Sequence, residues 1–413
     1  DDEACAAAEY PAACAGSCEQ PDECNESCDV TKAHFTTSVS DDSGSSFPYF
    51  YSSTYGTDLY TKNEAIENIV IVSHGGARNG FEYMCYMQNS LLIQKYSSCQ
   101  NTLVIAPQFY VCQTDTDDYC DDAATTGLDD DLSLQLDGSE LYWKWNSGWM
   151  KGDSSTSDLD ERISSFTVYD ELLEHITDTS LWPNLKTVKM AGYSGGAQFV
   201  QRYMLGGAGH DALTKAGLDV DVFIGSPSSL AYFDDKRPVL DDCDEDIGYC
   251  DATTVAATSF SFATPSDDAV AACDDYNEWR YGVDELNTYM SAVDSIDDAI
   301  ANFANKNITY FACSEDTCNE SLFDETDGCW KDCDSSGMDE ACQADLQGNC
   351  RYQRLHAWYQ YVDDYFDGKH SQTILDVEVA HEGCRAWQSD IARPLLFGDC
   401  DSPYSASTTN VVA

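Results

Sequence analysis

The fold of this chain is decided by one stretch, KTVKMAGYSGGAQFVQRYML at residues 186–205, whose centre fits the pattern G-x-S-x-G around Ser194. Val188 and Met190 alternate with polar neighbours as in a short strand, and apolar residues recur at helical spacing after the serine. A strand, a tight turn and a helix in that order form a nucleophile elbow, in which small residues let the backbone bend sharply. The stretch therefore predicts a nucleophilic serine, for which the rest of the chain must supply a base, an acid and an oxyanion hole.

The composition indicates a folded and strongly acidic protein. The chain has 413 residues, 43% of them hydrophobic, so it can form a core despite a net charge of −53. This hydrophobic content excludes intrinsic disorder. Nucleic acid and anionic membranes would both be repelled, so neither is an expected partner. Such acidity suits salty or calcium-rich surroundings, where counter-ions screen self-repulsion. A calcium-binding surface and a simple solubility role both stay open.

The cysteines indicate an oxidising compartment. The chain has 20 of them, with no C-x-x-C pair and no Cys/His cluster at zinc spacing, which favours disulfides over metal sites. Three N-x-S/T sequons, at Asn25, Asn307 and Asn319, are candidate glycosylation sites and fit secretion. No apolar run reaches the length of a transmembrane helix. We expect a mature secreted protein whose signal peptide has been removed.

The chain is predicted to have three parts: a Cys-rich extension at 1–33, a main domain at 34–400 and a tail at 401–413. The extension holds five cysteines and few large apolar residues, so disulfides must hold it in place. Because five is odd, at least one of these cysteines should pair with the main domain or another chain. Insertions in the main domain are predicted at about 111–140, 234–275 and 318–342.

Strands alternate with helical segments in the main domain, which predicts a mostly parallel sheet with helices on both faces. Nearly continuous β-branched runs are typical of strands buried on both faces. The predicted strands are 47–51, 58–60, 66–73, 102–107, 218–225, 308–312 and 373–380, and the predicted helices are 81–96, 160–177, 293–304 and 346–366.

The loop after the 66–73 strand is a candidate oxyanion site, because chemistry in parallel sheets collects where loops leave the carboxyl ends of strands. It reads His74-Gly-Gly-Ala, and its glycines allow backbone amides to approach a developing oxyanion closely. We predict an oxyanion hole formed by the backbone amides of Gly195, Gly76 and Ala77. The alternative is that the two glycines only form a tight turn.

Two further loops supply the acid and the base. Asp316 follows the 308–312 strand and is the predicted orienting acid, in preference to Glu315 beside it. His381 follows the last strand directly and is the predicted general base. The alternatives are one more surface carboxylate in an acidic chain and an ordinary structural histidine. No metal ligand set is predicted.

The order Ser194, Asp316, His381 is that of α/β-hydrolases and differs from the chymotrypsin and subtilisin orders. On these residues and on the HGGARN loop at 74–79, the chain resembles secreted esterases related to feruloyl esterases and polyhydroxyalkanoate depolymerases. The resemblance spans roughly residues 45–400 and extends to a segment at 346–351 whose role the residues do not reveal. It implies an α/β-hydrolase fold with disulfide-rich insertions.

The resemblance also implies a secreted serine esterase that acts on a small-molecule or polymer ester and requires no cofactor. Tyr193, Trp143, Trp145 and Trp149 are candidate substrate-lining residues, with ordinary core packing as the alternative. Two other functions stay open: a non-catalytic acidic extracellular or wall protein on a hydrolase scaffold, and a secreted serine peptidase of the same fold. Acyl specificity, self-association and disulfide connectivity are also open.

Overall fold

The computed structural model describes residues 24–39, 46–54, 56–94, 101–111, 140–143, 146–155, 162–240, 252–317 and 337–399. Parts of all three predicted insertions, together with Trp145, Asn319 and the C-terminal tail, lie outside these residues. The described residues fold around one large β-sheet.

The strands, numbered in chain order, are β1 Thr31–Phe35, β2 Phe47–Tyr51, β3 Asn68–Ser73, β4 Thr102–Pro107, β5 Tyr110–Val111, β6 Tyr142–Trp143, β7 Thr187–Tyr193, β8 Asp219–Gly225, β9 Arg237–Pro238, β10 Phe262–Ala263, β11 Ile308–Cys313 and β12 Gln372–Val377. Eight of them form the central sheet in the order β1-β2-β4-β3-β7-β8-β11-β12. Only the pairs that β2 makes with β1 and β4 are antiparallel. The prediction of a mostly parallel sheet is confirmed.

The helices are α1 Gly80–Gln94, α2 Asn146–Trp149, α3 Ser165–Ile176, α4 Gly195–Gly206, α5 Gly209–Lys215, α6 Ala252–Ala257, α7 Asp267–Ala272, α8 Thr288–Ser291, α9 Ile296–Phe303, α10 Cys342–Asp345, α11 Arg351–Tyr365, α12 Gly383–Trp387 and α13 Ala392–Phe397. The helix predicted after Ser194 and the four others predicted from the sequence are all present, although α3, α9 and α11 begin several residues later than expected. Among the described residues, no helix is both long and apolar enough to cross a membrane.

Helices cover both faces of the sheet, as predicted. Along β3, Ile69 and Ile71 belong to one apolar cluster and Val70 and Val72 to another, because successive side chains of a strand point to opposite faces. The first cluster includes side chains of α3, α4 and α11, and the second includes side chains of α1, α12 and α13. The sheet is therefore the middle of three layers, which leaves its strand ends accessible for a site.

The structure corrects two expectations near the N-terminus. Residues 31–35 pair with β2 as a strand of the central sheet, so the expected boundary at residue 33 falls inside β1. Residues 58–60 form a turn and not a strand. The Asp58 carboxylate accepts hydrogen bonds from the Tyr60 backbone N–H at 2.8 Å and the Thr61 hydroxyl at 3.1 Å. Such bonds from an aspartate side chain to nearby groups compete with extended structure.

Three disulfides join described cysteines: Cys24 to Cys384, Cys28 to Cys85, and Cys273 to Cys342. Two of them attach the N-terminal extension to α12 and α1, which confirms that cysteines of the extension pair with the main domain. The third joins two of the predicted insertions. Cys313, in contrast, is a buried free thiol at the end of β11, so the expected disulfide pattern has an exception.

Candidate active site

The turn at Ser194 is a strained junction between β7 and α4. Ser194 has φ 55° and ψ −118°, a conformation that is rare for a residue with a side chain and that is found at functional sites. Glycine is required on both sides of it. A Cβ at Gly192 would lie 2.2 Å from the Gly196 carbonyl oxygen, and a Cβ at Gly196 would lie 2.2 Å from the Ser73 carbonyl oxygen. The G-x-S-x-G pattern is thus a packing requirement of this turn.

Ser194, His381 and Asp316 form one chain of hydrogen bonds. The loops that carry the acid and the histidine lie side by side, because β11 and β12 are parallel neighbours in register up to the pair Cys313–Val377. His381 Nε2 lies 2.9 Å from Ser194 Oγ, and His381 Nδ1 lies 2.6 Å from Asp316 Oδ2. An ionised carboxylate only accepts, so Nδ1 carries the proton and Nε2 can accept one from the serine. The structure brings the three predicted side chains together in the geometry of a Ser-His-Asp triad.

Asp316 is buried, whereas Glu315 beside it is exposed. The carboxylate oxygen of Asp316 that does not face His381 lies 3.2 Å from Nη1 of Arg351. Burial alone would raise the pKa of the Asp316 carboxyl, but His381 and the Arg351 guanidinium together hold that pKa below its usual value. Arg351 lies in the segment at 346–351 that sequence analysis left without a role.

The loop after β3 is held by the His74 side chain. Phe109 N–H donates to His74 Nε2 at 2.9 Å, so the ring proton is on Nδ1, which donates to the Gly75 carbonyl oxygen at 2.8 Å. Burial lowers the pKa of His74 to about 4, which keeps the ring neutral. The peptide between Gly75 and Gly76 is therefore held in one orientation.

That peptide lies against the turn of the serine. A Cβ at Gly195 would lie 3.0 Å from the Gly76 amide nitrogen, and a Cβ at Gly75 would lie 3.7 Å from Ser194 Cβ. The structure thus places two of the three predicted oxyanion-hole residues beside each other and beside the serine. The third, Ala77, is exposed on the turn that follows.

Comparison with solved structures identifies the fold. The chain is similar to the poly(3-hydroxybutyrate) depolymerase LpqC from Bordetella parapertussis, with 14% identity over 95% of this chain and 97% of that chain and a TM-score of 0.50. It is also similar to poly(aspartic acid) hydrolase-1 from Sphingomonas sp. KT-1, with 13% identity over 89% and 98% of the two chains and a TM-score of 0.49. The siderophore hydrolase EstB from Aspergillus nidulans matches with 11% identity over 91% and 96% and a TM-score of 0.40. No protein-family model and no curated protein sequence matches the chain.

The chain has the α/β-hydrolase fold. Ser194 directly follows the central strand β7, Asp316 follows the later strand β11, and His381 follows the last strand, β12.

Three of the four candidate substrate-lining aromatic residues are buried in the α/β-hydrolase core, which is the alternative that the sequence left open for them. Trp143 and Trp149 have no exposed surface, and Tyr193 is 1% exposed. The rings of Trp149 and His74 have centroids 4.7 Å apart, and those of Tyr193 and His381 have centroids 5.1 Å apart. Trp149 thus packs against His74 and Tyr193 packs against His381, whereas the Trp143 ring packs against Phe109. Large rings stabilise a fold most when buried, and these three present almost no surface outside it.

Two of the three candidate glycosylation sites belong to the described residues. Asn25 and Asn307 are both exposed, as glycosylation requires. Among the described residues, one group of cysteine and carboxylate side chains is compact enough for a metal ion: Cys273, Asp275 and Cys342. Its two sulfur atoms are joined in a disulfide, so they are not available as thiolate ligands.

Proposed function

We propose that this protein is a serine hydrolase that cleaves carboxylic esters through an acyl-enzyme on Ser194. The observation that carries this proposal is the hydrogen-bonded chain from Ser194 Oγ through His381 to the buried Asp316. A serine hydroxyl is a weak nucleophile at its ordinary pKa. An imidazole acceptor with a carboxylate behind it is the means by which serine hydrolases activate it.

The reaction begins when His381 Nε2 accepts the hydroxyl proton of Ser194 while Oγ attacks the ester carbonyl carbon. Asp316 holds the Nδ1 proton in place and stabilises the positive charge on the ring. The alcohol then leaves with the proton from His381, and the acyl group stays on Ser194. A water molecule, deprotonated by the same histidine, attacks the acyl carbon, and the acid product leaves as Ser194 regains its proton.

The negative oxygen formed in each step requires N–H donors. We assign this role to the amides of Gly195 and Gly76, because a Cβ at Gly195 would lie 3.0 Å from the Gly76 amide nitrogen, so the two residues adjoin beside the serine. Gly195 is the first residue of α4, so its amide has no carbonyl partner within the helix, and the positive end of the helix favours an anion there. Each such donor contributes roughly 3 kcal/mol to transition-state stabilisation.

Ester cleavage is the proposed chemistry because a poly(3-hydroxybutyrate) depolymerase has the same fold. The structural match to it extends over 95% of this chain. A fluorophosphonate probe and short-chain p-nitrophenyl esters test it on the wild type, on Ser194→Ala and on Ser291→Ala, in which an exposed serine outside the site is removed. We expect labelling and turnover in the wild type and in Ser291→Ala, and neither in Ser194→Ala.

Two results would contradict this proposal. Absence of labelling and of Ser194-dependent turnover would favour a non-catalytic acidic extracellular protein. Faster cleavage of peptide p-nitroanilides than of the matched esters would favour a peptidase.

We also infer that the protein works in an oxidising compartment outside the cytosol, because cysteines far apart in the chain are joined by disulfides. Thiol counting in denaturant without reductant tests this. We expect few free thiols, with Cys313 among them. Thiols at most of the cysteines would contradict it.

A further inference from the structure

Arg351 lies directly behind the proposed triad. It is the first residue of α11, and its side chain is fully buried. Its Nη1 donates to Asp316 Oδ1 at 3.2 Å, and its Nε donates to Ser228 Oγ at 2.9 Å. Asp316 Oδ2 faces His381. The two carboxylate oxygens therefore have separate partners, one in the triad and one on α11.

The backbone of α11 also binds Asp316. The Tyr352 N–H donates to the Asp316 carbonyl oxygen at 3.3 Å. The helix has 15 residues, and the positive end of its dipole favours a carboxylate near its first turn. Asp316 is thus bound at the start of α11 through both its backbone and its side chain.

A buried carboxylate in this position needs a counter-charge. Burial favours the protonated form of Asp316, and a protonated carboxyl can donate as well as accept, so it no longer selects the Nδ1–H form of His381. The guanidinium of Arg351 opposes this, because a nearby cation favours the ionised form. The guanidinium group is planar and also donates to Ser228, so it restricts the orientation of the Asp316 carboxylate that it binds.

We propose that Arg351 is a positioning residue of the hydrolase: it orients Asp316 toward His381, keeps it ionised in acid, and thereby sets the low-pH limit of activity. This inference rests on the proposed function of Ser194 and extends it to a residue outside the triad. Arg351 acts through Asp316 and does not contact the substrate in the proposed reaction.

The test compares Arg351→Met and Arg351→Lys with a matched control, Arg237→Met. Arg237 is buried like Arg351, but its guanidinium hydrogen bonds go to backbone carbonyls and the Asn277 side chain and none go to the triad. For each variant, kcat and KM for a p-nitrophenyl ester are measured from acid to neutral pH. Active sites are counted with the fluorophosphonate probe, so that loss of folded protein does not count as loss of rate.

In Arg351→Met we expect the low-pH limb of kcat/KM to move to higher pH by about one unit, because the pair of Asp316 and His381 takes up protons more readily without the cation. We expect kcat to fall by roughly tenfold to a hundredfold and KM to change little, since the loss acts on alignment in the transition state. In Arg351→Lys the low-pH limb of kcat/KM should lie closer to that of the wild type, because lysine keeps the positive charge but lacks the planar guanidinium group. Arg237→Met should keep the wild-type limb.

A wild-type limb and kcat in Arg351→Met would overturn the inference, as would the same shift in Arg237→Met. If Arg351→Met does not fold, Arg351→Lys and Ser228→Ala decide the question. Arg351→Lys replaces the guanidinium with an ammonium group, and Ser228→Ala removes one hydrogen bond of the guanidinium. Wild-type kcat in both would contradict the role. A wild type without Ser194-dependent turnover would refute the proposed function and this inference together, whereas an active wild type with an unchanged Arg351→Met refutes only the role of Arg351.

Discussion

The loops that follow β3 and β12 each place a histidine at the same edge of the sheet, but the two histidines are bonded differently. Both ring nitrogens of His74 are bonded to backbone groups, the Phe109 N–H and the Gly75 carbonyl. Both ring nitrogens of His381 are bonded to side chains, a hydroxyl and a carboxylate. A ring between backbone groups fixes the geometry of its loop, whereas a ring between a hydroxyl and a carboxylate can accept a proton on one side while it is oriented from the other.

Burial strengthens this difference. His74 has no exposed surface and packs against Trp149, so a charge on its ring would be costly. The His381 side chain retains 11% exposure, so it can reach substrate and solvent. The same residue type thus has a structural role in one loop and a proposed chemical role in the other, and the surroundings decide which.

Of the substitutions considered, removal of the imidazole ring of His381 should lower kcat the most. We expect His381→Asn to lower kcat by roughly 10⁵-fold, because His381 Nε2 is the group bonded to Ser194 Oγ and accepts its proton in the proposed reaction. The melting temperature should stay close to that of the wild type, since the ring is bonded to the side chains of Ser194 and Asp316 and remains partly exposed. Steady-state ester hydrolysis and thermal unfolding check this. Retention of more than a hundredth of the activity would contradict the proposed role.

Removal of the imidazole ring of His74 should cause the next largest loss of kcat, for a different reason. We expect His74→Gln to lower kcat by roughly 10²- to 10³-fold, comparable to loss of one oxyanion donor, because the peptide between Gly75 and Gly76 is no longer held. The low-pH limb should not move, since a neutral ring that titrates near pH 4 takes no part in it. A shift of that limb would show that His74 exchanges protons during the reaction.

His74 should also make stability depend on pH. The folded-state pKa of about 4 is below the usual value of 6.5, so the unfolded chain binds more protons between these values. The free energy of unfolding is therefore expected to fall as pH drops from 6.5 toward 4, with a contribution of roughly 3 kcal/mol from this residue. Urea unfolding at pH 7 and pH 4.5 should show a smaller loss in His74→Gln than in the wild type. An equal loss would contradict the assignment.

The smallest change in kcat is expected from removal of the hydroxyl of Tyr193, whose ring packs beneath His381. Tyr193→Phe keeps the ring and removes the hydroxyl contacts to Cys313 Sγ at 3.3 Å and the Ala380 carbonyl at 3.4 Å. A hydrogen bond to sulfur is weak and the bond to the Ala380 carbonyl is long, so each contributes about 1 kcal/mol or less, and kcat should change by less than about threefold. Tyr193→Ala, which removes the ring itself, is the matched comparison and should be clearly slower. Similar rates in the two variants would show that the ring does not support His381.

Much of the fold could be predicted from local patterns. The buried strands β3, β4, β8 and β11 lie close to where apolar β-branched runs were found, because a strand buried on both faces needs apolar residues at every position. The turn at Ser194 was equally readable, since only glycine fits at 192 and 196. The positions of Asp316 and His381 followed from their place after strands. None of this required knowledge of which side chains touch.

Other features depended on contacts that no local pattern reports. Sequence analysis left open whether Trp143 and Trp149 line a substrate site or pack in the core, because an aromatic-rich segment does not show which of its rings face inward. β1 was missed because its residues lie next to the cysteine-rich segment and are only partly apolar. The two disulfides of the N-terminal extension reach residues 57 and 360 positions away, and spacing does not indicate such partners.

The sequence by itself determined a mostly parallel sheet with helices on both faces, the tight turn of Ser194 and the chain order of the three proposed triad residues, because periodicity, small residues and strand ends are local properties of the chain. The tertiary structure alone decided that Arg351 meets Asp316, 35 residues earlier, and that His74 is a fixed neutral ring while His381 is bonded for proton transfer. Charge state and orientation depend on burial and on partners from distant elements, and these exist only once the layers have packed.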